Sequence, residues 1–302
     1  MTDEPLELLI PLVNGADPLA TLGMLWQGPP DAQMRVAGPT IARASRYPGG
    51  AATLQLTVAR DHVVARAWGA GARDALATVP ALIGERDDPS PLRPRHAIVA
   101  RAQRRMPGLR LTSGAPLYET LLFSIIGQKI TSFEARRSFG ALIRRLGEPA
   151  PGPLGLMLPP QPTKLARTPY WALHTLGIER RRADTLRAAA AVAHRLDSLA
   201  ALPSAERIAR LMSLPGIGPW TAAEAIRLSL GDPDAVSVGD YHLPTLVCST
   251  LAGESNGSDE RMLELLEPYH GQRARVVLLI EHSGIRTERH APRMAPRSIA
   301  GM

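Results

Sequence analysis

Residues 214–222 read LPGIGPWTA, and no other stretch constrains the fold of this chain as strongly. Upstream, SAERIARLMSL places Ile208, Leu211, Met212 and Leu214 at helical spacing. Downstream, WTAAEAIRLSL resumes a helical pattern. Between the two, Gly216 and Gly218 permit positive φ and let the backbone approach whatever lies outside it. Pro219 suits the first position of a helix, where its missing N–H would be unpaired anyway. The stretch reads as a hairpin between two helices. Free N–H groups at the start of the second helix, with the helix dipole behind them, make an anion site. A plain packing corner fits the same residues, so both readings stay open at this point.

A chain of 302 residues with 45% apolar content can bury a large core and make two or three subdomains. The first part reads as mixed α/β. AATLQLTVAR alternates Leu54, Leu56 and Val58 with polar or small residues, and HVVARAWG follows as its hairpin partner. LELLIPLV and MRVAG are further strands, while PLATLGMLW and ARDALATVPALIG read as short helices. RDDPSPLRPR, residues 86–95, is a proline-rich linker. Helices dominate thereafter. Leu117, Leu121, Leu122, Ile125 and Ile126 line one helix face, and Thr131 with Glu134 has capping-box spacing for a helix reaching about residue 147. A Pro/Gly-rich loop spans 148–169, helices fill most of 170–230, and more follow at about 241–251 and 259–283. The tail RTERHAPRMAPRS is basic and irregular. The expected organisation is α+β: an N-terminal mixed α/β domain with linker at 1–95, built on an antiparallel sheet, then an all-α core at 96–302.

Lys+Arg number 35 against 28 Asp+Glu, giving a net charge of +7 and pointing to a polyanionic partner. Only Lys129 and Lys164 of the basic residues are lysines. The single cysteine, Cys248, excludes internal disulfides and a cysteine-ligated iron–sulfur cluster. No apolar run approaches the roughly 20 residues of a membrane span and no secretory signal opens the sequence, so a cytoplasmic place is expected.

Roughly twenty residues after the hairpin comes DAVSVGDYHLPTL. Asp240 follows a glycine and precedes a helical pattern, so it can act as an N-cap. The same placement fixes a carboxylate in direction, ready to stabilise developing positive charge. LPGIGPW followed by VGDYHL resembles the helix-hairpin-helix, Gly/Pro-rich loop and aspartate signature of the HhH-GPD DNA glycosylases. LLFSIIGQKITSFEA and LHTLGIERRRADTLRAAA are similar to segments of the DNA-3-methyladenine glycosylase II branch, and the likeness covers about 117–284.

The resemblance implies a monofunctional glycosylase of base excision repair, nucleoid-associated and monomeric, acting on double-stranded DNA with damaged bases. Alkylated purines such as 3-methyladenine are the implied substrates; another lesion, deaminated or oxidised, and a non-catalytic DNA-binding protein stay as alternatives. Leu214, Gly216, Ile217, Gly218 and Thr221 would meet a DNA phosphate. Carbonyls of Met212, Leu214 and Ile217 would hold a monovalent cation, K+ or Na+, with no other cofactor required. Asp240 would be the catalytic carboxylate. Trp220, Tyr241 and Tyr269 would wall the base pocket. Glu224 stands where an aromatic is expected and Met24 where a phenylalanine is. Gln128, Lys129 and Ile130 match the wedge that probes the base stack, with the inserted residue undecided. His242 matches a histidine near DNA phosphate in the endonuclease III and 8-oxoguanine glycosylase branches. Trp220 occupies the position of the lysine that bifunctional relatives use, so no lyase activity is expected.

Overall fold

The computed structural model describes residues 4–29 and 31–284; the basic tail lies outside them. The alternating segments form a five-stranded antiparallel sheet of β1 (Leu6–Pro11), β2 (Met34–Ala37), β3 (Thr40–Tyr47), β4 (Gly50–Val58) and β5 (His62–Trp68), ordered β1-β5-β4-β3-β2. Strand β3 has no clean apolar alternation because both of its faces are covered. Arg43 and Ser45 are buried alongside Ile41, Ala42 and Ala44. Helices α1 (Pro18–Gly23) and α2 (Ala72–Leu82) pack with the sheet to close the first core.

The remaining helices are α3 (Ala97–Arg105), α4 (Leu117–Ile126), α5 (Ser132–Leu146), α6 (Pro162–Arg167), α7 (Tyr170–His174), α8 (Arg180–Ala191), α9 (Ser204–Met212), α10 (Pro219–Leu230), α11 (Leu243–Ala252), α12 (Asp259–Leu266) and α13 (Arg273–His282). They form two clusters where the sequence reading expected one. Residues of α4 to α10 share one apolar core, whereas α3 packs with α11, α12 and α13 around another. The linker is part of that second core, because Leu92 is buried in it and Asp87 pairs bidentately with Arg275 of α13 at 2.7 Å. Asp240 stands on the segment joining the two helical clusters, between α10 and α11.

Helix α4 is the centre of the molecule. Its five predicted apolar positions are all buried, at about 1.5–3 kcal/mol each. Tyr118, Glu119, Thr120 and Ser124 on its other sides are buried too, so the expected single apolar face is replaced by burial all round. Glu119 meets the sheet. Its carboxylate accepts from Gln33, Arg43 and Ser45 side chains and from the Arg46 N–H, at 2.6–3.0 Å. Between α5 and α6 the expected loop contains a short hairpin, β6 (Glu148–Pro149) and β7 (Met157–Leu158). It docks on the sheet through Leu156 and Leu158 against Ala42 and Ala44, with Glu148 paired to Arg46. The Thr131–Glu134 capping box opens α5 with both of its hydrogen bonds.

Candidate active site

The two hairpin glycines do different things. Gly216 has φ +84°, and a Cβ there would meet Thr185 Oγ1 of α8 at 2.0 Å. It serves the turn. Gly218 has φ −99° and ψ 179°, which any residue adopts, so the expectation of positive φ fails there. A Cβ on Gly218 would meet nothing within 4 Å. Its backbone is open to the outside, at the N-cap of α10 with Pro219 as the first helical residue. The first-turn N–H groups of α10 have no intrahelical acceptors.

Leu214 is half-buried and Ile217 buried, and the Leu214 carbonyl accepts the Ile217 N–H at 3.1 Å. That leaves the Leu214 oxygen one lone pair. Met212 ends α9, where its carbonyl has no intrahelical donor. Three neutral carbonyls of one turn are a donor set that fits a monovalent cation and not a transition metal.

The three residues expected as the wedge sit differently. Gln128 Nε2 donates to the Gly216 carbonyl at 2.9 Å and to Thr221 Oγ1 at 2.8 Å. Thr221 is buried. The side chains of Gln128 and Thr221 therefore stitch the wedge segment to the hairpin instead of facing outward. Ile130 packs half-buried on the helical core. Lys129 is exposed with φ +55°, a left-handed conformation that is strained for a lysine. Of the three it is the exposed one.

Asp240 is held by three donors. Its Oδ1 accepts the N–H groups of His242 at 2.7 Å and Leu243 at 2.9 Å, and its Oδ2 accepts Trp220 Nε1 at 2.9 Å. The carboxylate thus caps the approach to α11 from just ahead of the first turn, with His242 itself in the N-cap position. Gly239 before it has φ +90°, and its N–H donates to Asp259. Trp220 leans the other way on the wedge segment, its ring 3.3 Å from where a Gly127 Cβ would lie. Tyr241 is 76% exposed and meets His242 edge-on, ring centroids 4.8 Å apart. Both rings stand clear of the core.

One turn further along α10, Glu224 bonds Ser237 Oγ and pairs with Arg227 at 3.0 Å. Trp220, Glu224 and Arg227 recur at i, i+4 and i+7, so they share one helix face. That face looks onto the 237–240 turn, since two of its residues bond there. Glu281, at the exposed end of α13, lies within electrostatic reach of Arg227, Glu224 and Asp240. Crowding by protein, with the Glu224 and Asp240 charges added and Arg227 opposing, pushes its carboxyl up to about 7.

Tyr269 and Met24 were also expected at the pocket. Tyr269 is 3% exposed in the α3–α13 core, and its hydroxyl accepts the N–H groups of Arg95 and His96 while bonding His96 Nδ1. It anchors the linker, because a buried phenol needs partners and the linker supplies them. Met24 is half-buried between the sheet core and the C-terminal helical core. Arg227 and Ser237 were missed by the sequence reading. Arg227 was findable by its spacing from Glu224; Ser237 is brought in by tertiary packing alone.

This architecture, an N-terminal antiparallel sheet followed by helices, is the fold of DNA glycosylase structures. The 3-methyladenine DNA glycosylase from Archaeoglobus fulgidus aligns over 90% of this chain and 96% of its own, with TM-score 0.74 and 19% identity. An 8-oxoguanine glycosylase/lyase from Clostridium acetobutylicum, bound to double-stranded DNA, aligns over 92% of this chain and 97% of its own, with TM-score 0.70 and 13% identity. A 3-methyladenine DNA glycosylase from Schizosaccharomyces pombe, in complex with abasic DNA, covers 63% of this chain and 93% of its own at TM-score 0.51 and 18% identity. No protein-family model matches the sequence, and no curated protein matches it.

Proposed function

We propose that this protein is a DNA glycosylase of base excision repair, which hydrolyses the N-glycosidic bond of a damaged, flipped-out nucleotide and stops there. The observation that carries the reading is the Asp240 carboxylate, fixed by three N–H donors on the segment that follows an open hairpin. The net charge of +7 supports a DNA partner.

A DNA phosphate would sit against the Gly218 backbone and the first turn of α10, where N–H groups have no other acceptor. A cation on the carbonyls of Met212, Leu214 and Ile217 would add positive charge beside that phosphate. Lys129 would fill the gap left by the extruded nucleotide. Extrusion costs a few kcal/mol, less for a damaged pair. Trp220 and the exposed Tyr241 offer aromatic surface for the base. As the bond breaks, positive charge grows on the sugar, and Asp240 stabilises it and orients the attacking water.

An alkylated purine such as 3-methyladenine, already cationic, departs without a strong acid. A deaminated or oxidised base is the second reading, favoured by the charged Glu224–Arg227 pair on the helix face expected to carry an aromatic. Trp220 in place of a lysine supports hydrolysis without strand cleavage. Duplexes carrying a panel of alkylated, deaminated and oxidised bases test the proposal directly. Free base is expected from at least one of them, with no covalent adduct trapped by borohydride. No release from any duplex overturns the enzyme reading, and an adduct mapping to Lys129 overturns the hydrolytic one.

A further inference from the structure

Asp240 follows a glycine held at φ +90°, and a glycine is free to swing whatever comes after it. Both peptides that flank Gly239 are tied. The Gly239 N–H donates to both carboxylate oxygens of Asp259, at 3.1 and 3.0 Å. The Asp240 N–H donates to the Ser237 carbonyl at 3.2 Å. Peptide groups are planar, so fixing the two on either side of Gly239 holds its φ and ψ and aims Asp240 from behind. Asp259 is itself firmly placed. It is the first residue of α12, after the N-cap Ser258, whose side chain accepts the Arg261 N–H at 3.2 Å. Met262 and Leu266 of α12 share an apolar core with Leu243, Val247 and Cys248 of α11. Gly257 passes so close to α11 that a Cβ on it would collide with the Pro244 carbonyl and the Thr245 nitrogen. The connection from α11 to α12 therefore grips the segment around Asp240 at two places, Gly257 against the first turn of α11 and Asp259 on the Gly239 N–H.

Given the glycosylase reading, on which this rests, we infer that Asp259 is a positioning residue: by holding the Gly239 N–H it aims the Asp240 carboxylate at the sugar. Two of the three donors to Asp240, the His242 and Leu243 N–H groups, lie in its own turn and move with it. They fix the carboxylate within the turn and leave the turn to be fixed from outside. Helix α10 supplies ties at Ser237 through Glu224 and at Asp240 through Trp220. Helix α12 supplies the tie between them, at Gly239 through Asp259. An N–H donated to an ionised carboxylate is about twice as strong as one donated to a neutral oxygen, which suits a tie that must hold a glycine. Stabilising a sugar cation depends on a charge already in place, and a misplacement of about 1 Å can cost roughly 100-fold in rate. Asp259 touches neither base nor sugar in this role; it acts through Gly239.

The test compares wild type, Asp259→Ala and Asp259→Asn in single-turnover base release from three duplexes, carrying 7-methylguanine, hypoxanthine or 8-oxoguanine. Duplex affinity and melting temperature are measured on the same preparations. Alanine removes the acceptor, whereas asparagine keeps one oxygen for the Gly239 N–H. Release by Asp259→Ala is expected to fall at least about tenfold on every duplex that the wild type processes, since Asp240 meets the same sugar in each. Affinity should stay within about twofold, and the melting temperature within about 4 °C, the shift that one lost hydrogen bond brings. Asp259→Asn should release base within about threefold of wild type, a rescue that a role for the charge of Asp259 would not give. Wild-type release by Asp259→Ala, equal losses in the two variants, or a loss of release matched by a loss of affinity would each overturn the positioning role and leave the glycosylase reading intact. Release from none of the three duplexes by the wild type would overturn both.

Discussion

The Glu119 carboxylate, between α4 and the sheet, has both oxygens occupied by four donors, and its side chain is 2% exposed. The Asp240 carboxylate, on the segment between α10 and α11, takes three donors: the His242 and Leu243 N–H groups and Trp220 Nε1. Tertiary packing brings Glu119 to its arginine, whereas two of the three Asp240 donors belong to its own turn. Desolvating a charge is costly, so a buried carboxylate persists where its lone pairs are filled by protein. Glu119 meets that condition and joins the sheet to the helices. Asp240 is half-buried, with exposed Gly239 and Tyr241 on either side of it.

Exchanging the two roles by mutation is the sharpest way to break this contrast. Glu119→Gln leaves Arg43 buried without its counter-charge, and should cost about 3 kcal/mol or more. In a chain of this size that lowers the melting temperature by roughly 6–12 °C. Base release by the protein that remains folded should be unchanged. A Glu119→Gln protein of wild-type stability would contradict the structural role given to Glu119.

The hairpin glycines offer the same contrast on a smaller scale. Gly216→Ala forces a Cβ onto Thr185 at a positive φ, and should cost about 2 kcal/mol, or roughly 4–8 °C. Gly218→Ala meets no protein atom and adopts an ordinary conformation, so its melting temperature should not move. It should instead weaken binding to damaged and undamaged duplexes alike, since phosphate contacts carry no lesion information. The salt slope should flatten by about 0.9, one phosphate's worth. Wild-type affinity of Gly218→Ala at every salt concentration would reduce both glycines to turn formers.

What the sequence disclosed follows from the range of the interactions involved. The hairpin, the Thr131–Glu134 box and four of the five strands rest on local rules of spacing and capping, and all were legible. Strand β3 was hidden because Arg43 and Ser45 sit inside, paired with a glutamate 76 and 74 residues away. Asp240 was readable by its place after the hairpin, but its third donor, Trp220, comes from a different helix. Tyr269 was misplaced because an aromatic near the cleft in sequence can equally anchor a linker 173 residues away. That Lys129 is the exposed residue of 128–130 emerged only with the fold, which ties Gln128 to the hairpin. Side chains that satisfy themselves locally can be read; those that depend on a distant partner wait for the fold.

Asp240→Asn tests the central claim most directly, with base release and duplex affinity measured on the same preparation. The amide preserves shape and can still accept from His242 and Leu243, so the protein should fold and bind a lesion-bearing duplex within about threefold of wild type. Without the charge that opposes the growing sugar cation, single-turnover release should fall by at least about 100-fold. Release at near wild-type rate by a folded Asp240→Asn protein would contradict the account, because the fixed carboxylate would then not be what drives the reaction.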